Sequence, residues 1–305
     1  MKHIIFAIAC IFFFFLMLFL PNETLSGATN GLLLWFHIIL PTLLPFFIIT
    51  NLLIQTNSIY FVSRFCGKFV QRFFGTSSLG SFAVLSGMLC GYPIGAKVTA
   101  DLVKENHITI DEGKYLLSFC NNTSPAFITS FVVLQNLKDE SMLFPTLIIL
   151  YTSPILCSFI FRKIHHTSHS YNATQNMSNK EISFCFETFD NCIMDAFENI
   201  TKIGGYIILF SILFFYGEAL SLHYTLPLLE ITNGISFLTK TIPSFDYLYI
   251  YCLGLTSFGG LCSIVQTKAM LNKTKLSIFP YIIEKLITAM ATSLLAYLYV
   301  FFIRQ

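Results

Sequence analysis

The sequence predicts an all-α polytopic membrane protein with broken helices, built as an inverted repeat that carries two re-entrant Gly-rich hairpins. Three observations predict it. The 305 residues are 55% hydrophobic and only 11% charged, where soluble domains carry about 25% charge. Several apolar runs approach or exceed the roughly 20 helical residues that a bilayer core requires. Helix breakers also cluster inside apolar surroundings: SGMLCGYPIGAK (Ser86 to Lys97), FCNNTSPAFITSF (Phe119 to Phe131) and TSFGGLCSIVQ (Thr256 to Gln266). Lipid cannot hydrogen-bond a freed backbone group, so such breaks survive at membrane depth only against protein or a water-filled cavity. In transporters they form the substrate site.

Composition narrows the function classes. A net charge of +2, scattered along the chain, provides no footprint for nucleic acid. There is no G-x-S-x-G, no H-E-x-x-H and no nucleotide-binding loop, so neither an enzyme nor a metal or cofactor site is expected. The nine cysteines contain no C-x-x-C pair and read as small buried hydrophobes rather than a disulfide framework. His165, His166 and His169 fall in a polar loop as a solvated cluster. N-x-[ST] matches such as those at Asn22, Asn121, Asn122 and Asn199 are coincidental, two of these falling inside a span.

The elements follow in chain order. Residues 1–20 form a first transmembrane helix, with Ile4 to Leu20 unbroken and Lys2 on the cytoplasmic side. Residues 21–30, which lack Lys and Arg, read as an outside loop. Gly31 to Ile54 is a span kinked by Pro41 and Pro45; His37 within it is a structural histidine before it is a proton carrier. Arg64, Lys68 and Arg72 repeat beside Phe65, Phe69 and Phe73, the pattern of a helix lying in the membrane interface. Leu79 to Ala96 is too interrupted for a plain crossing and reads as a hairpin that dips in and returns. Thr109 and Glu112 form a capping box for a helix that runs to about Val133, broken at Asn121 to Pro125. After a short outside loop, Ser141 to Phe161 returns, closing a first repeat at 31–161.

Residues 162–199 combine a polar cytoplasmic loop with an amphipathic lead-in, where Phe186, Phe189, Ile193, Phe197 and Ile200 share a helical face. The second repeat, 200–303, has a span (200–222), an amphipathic segment (227–241), a Gly-rich element (247–268) and a last span (278–303) with Glu284 and Lys285 inside it. The kinds of element match the first repeat in order, although identity between the halves is at chance level. Counting crossings sends the first span of each half in opposite directions, hence an inverted relation. Lys268, Lys273 and Lys275 would then lie outside, against the positive-inside bias. If residues 247–267 cross fully instead, the lysines move inside and the symmetry fails.

Six motifs then resemble a known family: W-F-H-x-x-L-P-x-L-x-P-F-F (Trp35 to Phe47), G-Y-P-x-G-A-K (Gly91 to Lys97), F-x-N-x-x-x-P-A-F-I (Phe119 to Ile128), I-G-G-Y-I-x-L-F (Ile203 to Phe210), L-E-I-T-N-G (Leu229 to Gly234) and F-G-G-L-x-x-x-x-Q (Phe258 to Gln266). Together they resemble the YlbJ-type sporulation integral membrane proteins, of the nucleoside-recognition or Gate domain group, which is similar to the gate regions of concentrative nucleoside transporters. The resemblance covers nearly the whole chain after residue 30. It implies two gate-like repeats, a membrane around a developing spore, and dipicolinate as the solute carried toward the forespore. A structural or assembly role in spore-envelope or cortex formation, and transport of nucleosides or related solutes, are the alternatives. The implied partners are the lipid bilayer and a small solute, with a homo-oligomer or other sporulation membrane proteins left open.

Under that implication the breaks supply the site. Gly91, Tyr92, Pro93 and Gly95 form one wall, with Asn121, Asn122, Ser124, Pro125 and Phe127 beside them, and Gly259, Gly260, Ser263 and Gln266 opposite. The amides, hydroxyls and the helix resuming after Pro125 offer donors to a carboxylate, and Tyr92 and Phe127 offer faces to an aromatic ring. Lys97 and Lys268, at matched ends of the two Gly-rich elements, either neutralise an anion or snorkel to the interface. Glu230 and Glu284 are candidates for a coupling ion or proton, since intramembrane carboxylates are costly to keep; Glu230 reads equally well as a cap.

Overall fold

The computed structural model describes residues 2–56, 58–165, 186–223, 225–272 and 274–303. Most of the polar loop, with His166 and His169, and Lys273 fall outside them. Among the described residues every regular element is helical.

Helix α1 (Lys2–Phe19) ends at Leu20, and Pro21 opens α2 (Pro21–Leu34), a first-turn position that costs proline nothing because its missing N–H would be unpaired there anyway. The expected outside loop at 21–30 is therefore helical. The reason is packing: a Cβ on Gly27 would stand 2.6 Å from the Ile212 Cα, and one on Gly31 2.7 Å from the Ile208 Cα. The two glycines, four apart, let α2 lie directly against a later helix. A π-helical turn, Trp35–Ile39, carries α2 into α3 (Leu40–Gln55), with Pro41 at the first turn of α3.

Helix α4 (Ile59–Phe74) is amphipathic, and the chain turns by 94° between it and α5 (Ser78–Cys90). Helix α6 (Ile94–Lys104) then folds back along α5. Gly87 and Gly95 make that contact possible: a Cβ on Gly87 would fall 3.0 Å from the Gly95 Cα and 1.9 Å from the Cys120 carbonyl oxygen. The first Gly-rich hairpin is thus present. Helix α7 (Ile110–Cys120) is capped by Thr109, whose hydroxyl accepts the Glu112 N–H at 3.2 Å. The Glu112 carboxylate does not complete the box; it accepts the Ser77 N–H at 2.6 Å, at the start of α5.

After the break at 121–124 the chain resumes as α8 (Pro125–Phe127) and a π-helical stretch, Ile128–Leu137. Helix α9 (Leu143–Ile164) returns, and α10 (Phe186–Ala219) joins the amphipathic lead-in to the next span as one 34-residue helix. Helices α11 (Ile231–Thr241), α12 (Phe245–Phe258), α13 (Gly260–Met270) and α14 (Ile278–Phe302) complete the chain. Among the described residues five stretches are long and apolar enough to cross a membrane: Pro21–Gln55, Glu140–Ile164, Phe186–Ala219, Phe245–Met270 and Ile278–Phe302. The expected crossings at 1–20 and 111–133 are not among them, the first being a shorter apolar helix and the second broken at 121–124. This is an all-α polytopic membrane protein.

Phe245–Met270 corrects one expectation. It is a 26-residue stretch, broken at Gly259, with the length and apolarity of a crossing rather than of a dip. Its surroundings agree. Leu276, just beyond it, packs beside Gly113 at the start of α7. Tyr281 then meets Asn121 and Lys285 meets Asn122. The rising register (113, 121, 122 against 276, 281, 285) means that α7 and α14 run parallel. An inverted relation would oppose them. Direction, unlike the order of elements, cannot be read from hydropathy, and here the crossing reading of residues 247–267 prevails. Lys268 and Lys275 then share an end with the charged 104–114 linker, as the positive-inside bias asks.

Two apolar cores result. One gathers α3 to α7 with α10, α13 and the start of α14; the other gathers the π-helical stretch with α9, α11, α12 and the end of α14.

Candidate solute-binding cavity

A cavity of about 750 Å³, counting the part open to its surroundings, lies where the two cores meet. Both chain breaks reach it. At the first, Gly91 has φ +87° and lies so close to Ser124 that a Cβ would stand 2.7 Å from the Ser124 nitrogen. Only glycine meets both demands. Ser124 in turn caps the resumed helix, its hydroxyl accepting the Phe127 N–H at 3.2 Å, and the Tyr92 N–H donates to the Asn122 carbonyl at 2.6 Å. At the second break Gly259 and Gly260 have φ +83° and +77°. The Cys262 N–H donates to the Leu229 carbonyl at 3.0 Å, tying α13 to the start of α11. The Tyr92 ring reaches across, 3.4 Å from where a Gly259 Cβ would be.

Eight of the expected residues line the cavity: Gly91, Tyr92, Ser124, Phe127, Glu230, Gly259, Ser263 and Gln266. Pro93, Gly95, Pro125 and Gly260 shape the breaks without facing it. Asn121 and Asn122 stand behind the wall and hold it. The Asn121 amide donates to the Thr267 and Tyr281 hydroxyls, both at 3.0 Å, while its oxygen accepts the Ala96 N–H at 3.2 Å. The side chain is 1% exposed and every polar atom is used. One asparagine thus fastens α6, α13 and α14 to the end of α7. Asn122 donates to the Phe119 carbonyl at 2.6 Å, closing the unwound end of α7 on itself.

The charged candidates separate. Glu230 is buried and caps α11: its carboxylate accepts the Thr232 N–H at 3.1 Å, the Asn233 N–H at 2.9 Å and the Thr232 hydroxyl. It also faces the cavity, so the cap and the site are the same group. Glu284 is away from the cavity, with His165 Nε2 2.5 Å from its carboxylate at the far end of α9. Lys97 donates to Asn51 at 2.9 Å and to Asp101 at 2.5 Å, on the other side of α6. Lys268 is exposed. Neither lysine lines the cavity.

Several residues here escape sequence reasoning. Cys90 and Cys262 put two free thiols on the wall, and Thr42, Thr123, Ser130 and Thr232 add hydroxyls. Lys285 is 2% exposed and donates to the Asn121 carbonyl at 2.7 Å and to Asn122 Oδ1 at 3.0 Å. A lysine in the middle of an apolar 25-residue helix was a visible signal for it; its direction was not.

The chain is similar to a sporulation integral membrane protein. The relative is YlbJ of Bacillus subtilis (strain 168), 25% identical over 306 residues, covering 88% of this chain and 75% of that one. The similarity supports the YlbJ-type assignment drawn from the six motifs. No protein-family model matches the chain. No solved structure matches it either.

Proposed function

We propose that this protein is a permease of a sporulating bacterium that passes a small solute through the cavity between its two chain breaks, with dipicolinate as the expected cargo in a membrane around the forespore. One observation carries the reading: both breaks, remote in sequence, converge on a single polar-and-aromatic cavity inside a multi-pass membrane protein. A scaffold has no need to hold unwound backbone against a void, where each unsatisfied group costs several kcal/mol. The similarity to a sporulation integral membrane protein supplies the setting. The solute is an inference from resemblance, supported by the ring faces of Tyr92 and Phe127 and the donors around Ser124 and Gln266.

The test is uptake of labelled dipicolinate and of nucleosides by proteoliposomes, with and without a proton or sodium gradient. The expected result is saturable dipicolinate uptake that Gln266→Ala abolishes while the variant still accumulates in the membrane. Nucleoside uptake alone would reassign the cargo. If neither solute moves and Gln266→Ala spores fill normally, the envelope-assembly alternative replaces transport.

A further inference from the structure

Among the described residues the cavity wall holds a carboxyl group but no basic side chain. No Lys, Arg or His is among its lining residues, and Glu230 is its one carboxylate. One basic group tied to the wall stands one layer back. Lys285 donates to Asn121 O and Asn122 Oδ1, immediately before Thr123 and Ser124, which face the cavity. Its two acceptors are neutral, and the ion pairs seen among the described residues (Lys97–Asp101, Lys114–Asp111, His165–Glu284 and Lys202–Glu198) do not include it. The carboxylate next to it in sequence, Glu284, is turned to His165.

These two buried ionisable groups are not equally provided for. Glu230 sits at the N-terminus of α11 and accepts two backbone N–H groups and a hydroxyl, an arrangement in which the helix end itself compensates a negative charge. Lys285 has hydrogen bonds but no acidic partner among the described residues, and a buried ion without one is expensive to keep. Ionisable groups kept in membrane spans pair with one another or with backbone carbonyls and mark substrate or ion pathways.

We propose that Lys285 is the specificity-determining positioning residue of the cavity: it holds the Asn121–Asn122 break in place and makes that wall electropositive, so that the site selects a solute carrying a carboxylate. This deepens the permease reading and rests on it. The carboxylate end of the solute lies toward Thr123 and Ser124, away from Glu230 on α11. Attraction to Lys285 acts through the buried break, where water does not screen it, and repulsion by Glu230 fixes which way round the solute sits.

The cavity's own thiol supplies a test that needs no transport. Cys262 lines the wall and is free, so a bound solute shields it from an alkylating reagent, read by peptide mass at that residue. The probes are pyridine-2,6-dicarboxylate and its uncharged diamide. With the wild-type protein in detergent, the dianion should protect at lower concentration than the diamide. Lys285→Met should shift that ratio by about tenfold or more toward the diamide. Asn122→Asp, which places a carboxylate against the ammonium without deleting it, should shift the ratio the same way, and decides the matter if Lys285→Met does not fold. A merely structural lysine would weaken both probes alike and leave the ratio unchanged. Wild-type protection by the dianion with an unshifted ratio in both variants overturns this inference alone. Protection by the diamide only also overturns it and leaves the cavity as a binding site. Protection by neither probe overturns both this inference and the permease reading.

Discussion

At the scale of single residues, the wall of the cavity depends on groups whose polar atoms are all committed. Removing the Asn121 amide leaves the Thr267 and Tyr281 hydroxyls and the Ala96 N–H to find new partners, and a buried group left unpaired costs about 1–3 kcal/mol. Asn121→Ala should therefore lower the unfolding temperature in detergent well beyond what Ser124→Ala does, since Ser124 loses only a cap worth about 1 kcal/mol; equal shifts would argue against the shared anchor. Gly91→Ala combines a left-handed backbone with a Cβ 2.7 Å from the Ser124 nitrogen, and should abolish dianion protection of Cys262 even where the protein can be purified. Part of this was legible: the Gly, Pro and Asn breakers mark where the chain unwinds, but of the eight expected residues that line the cavity only Gly91 and Gly259 are breakers, and the rest are their neighbours. What was not legible is which side of a helix each charge takes. Lys97 and Lys285 are both lysines in apolar helices, yet one pairs with Asp101 on its own helix and the other props up the break. That difference is made by neighbours distant in sequence.

At the scale of elements, close approach decides the packing. Gly27 and Gly31 let α2 touch α10, and Trp35 extends the seam, its indole N–H donating to the Ile200 carbonyl at 2.9 Å above Gly204. The lack of Lys and Arg in residues 21–30 suggested an outside loop; the G-x-x-x-G spacing of Gly27 and Gly31 is the better guide. Gly27→Leu should separate α2 from α10 and cost about 1–3 kcal/mol or more, seen as faster proteolysis between α1 and α3. Wild-type rates would show that the seam is dispensable. The capping box at Thr109 illustrates a half-legible device. Its N-terminal half forms as written, but Glu112 serves the start of α5 instead, because Ser77 is nearer to it in the fold than the sequence discloses.

At the scale of the whole molecule, hydropathy located the five long apolar stretches but not their directions, and it also took residues 1–20 and 111–133 as crossings, which are not among the five. The parallel course of α7 and α14 places Lys275 at the same end as Lys104, and Thr241 at the other. In a background without other reactive thiols, Lys275→Cys and Lys104→Cys should label from one face of the membrane and Thr241→Cys from the opposite one. Labelling of positions 275 and 241 from the same face would restore the re-entrant arrangement. The contact between the first and second halves has a consequence of its own. Helices α2 and α3 rest on α10, α6 on α13, and both α7 and α9 on α14, so the cavity belongs to neither half but to the seam between them. Two polypeptides ending at residue 165 and beginning at residue 186 should each be degraded when produced separately and should assemble into a complete, dianion-protected cavity when produced together, because the His165–Glu284 contact and the Asn121 anchor are rejoined by folding and not by the peptide bond.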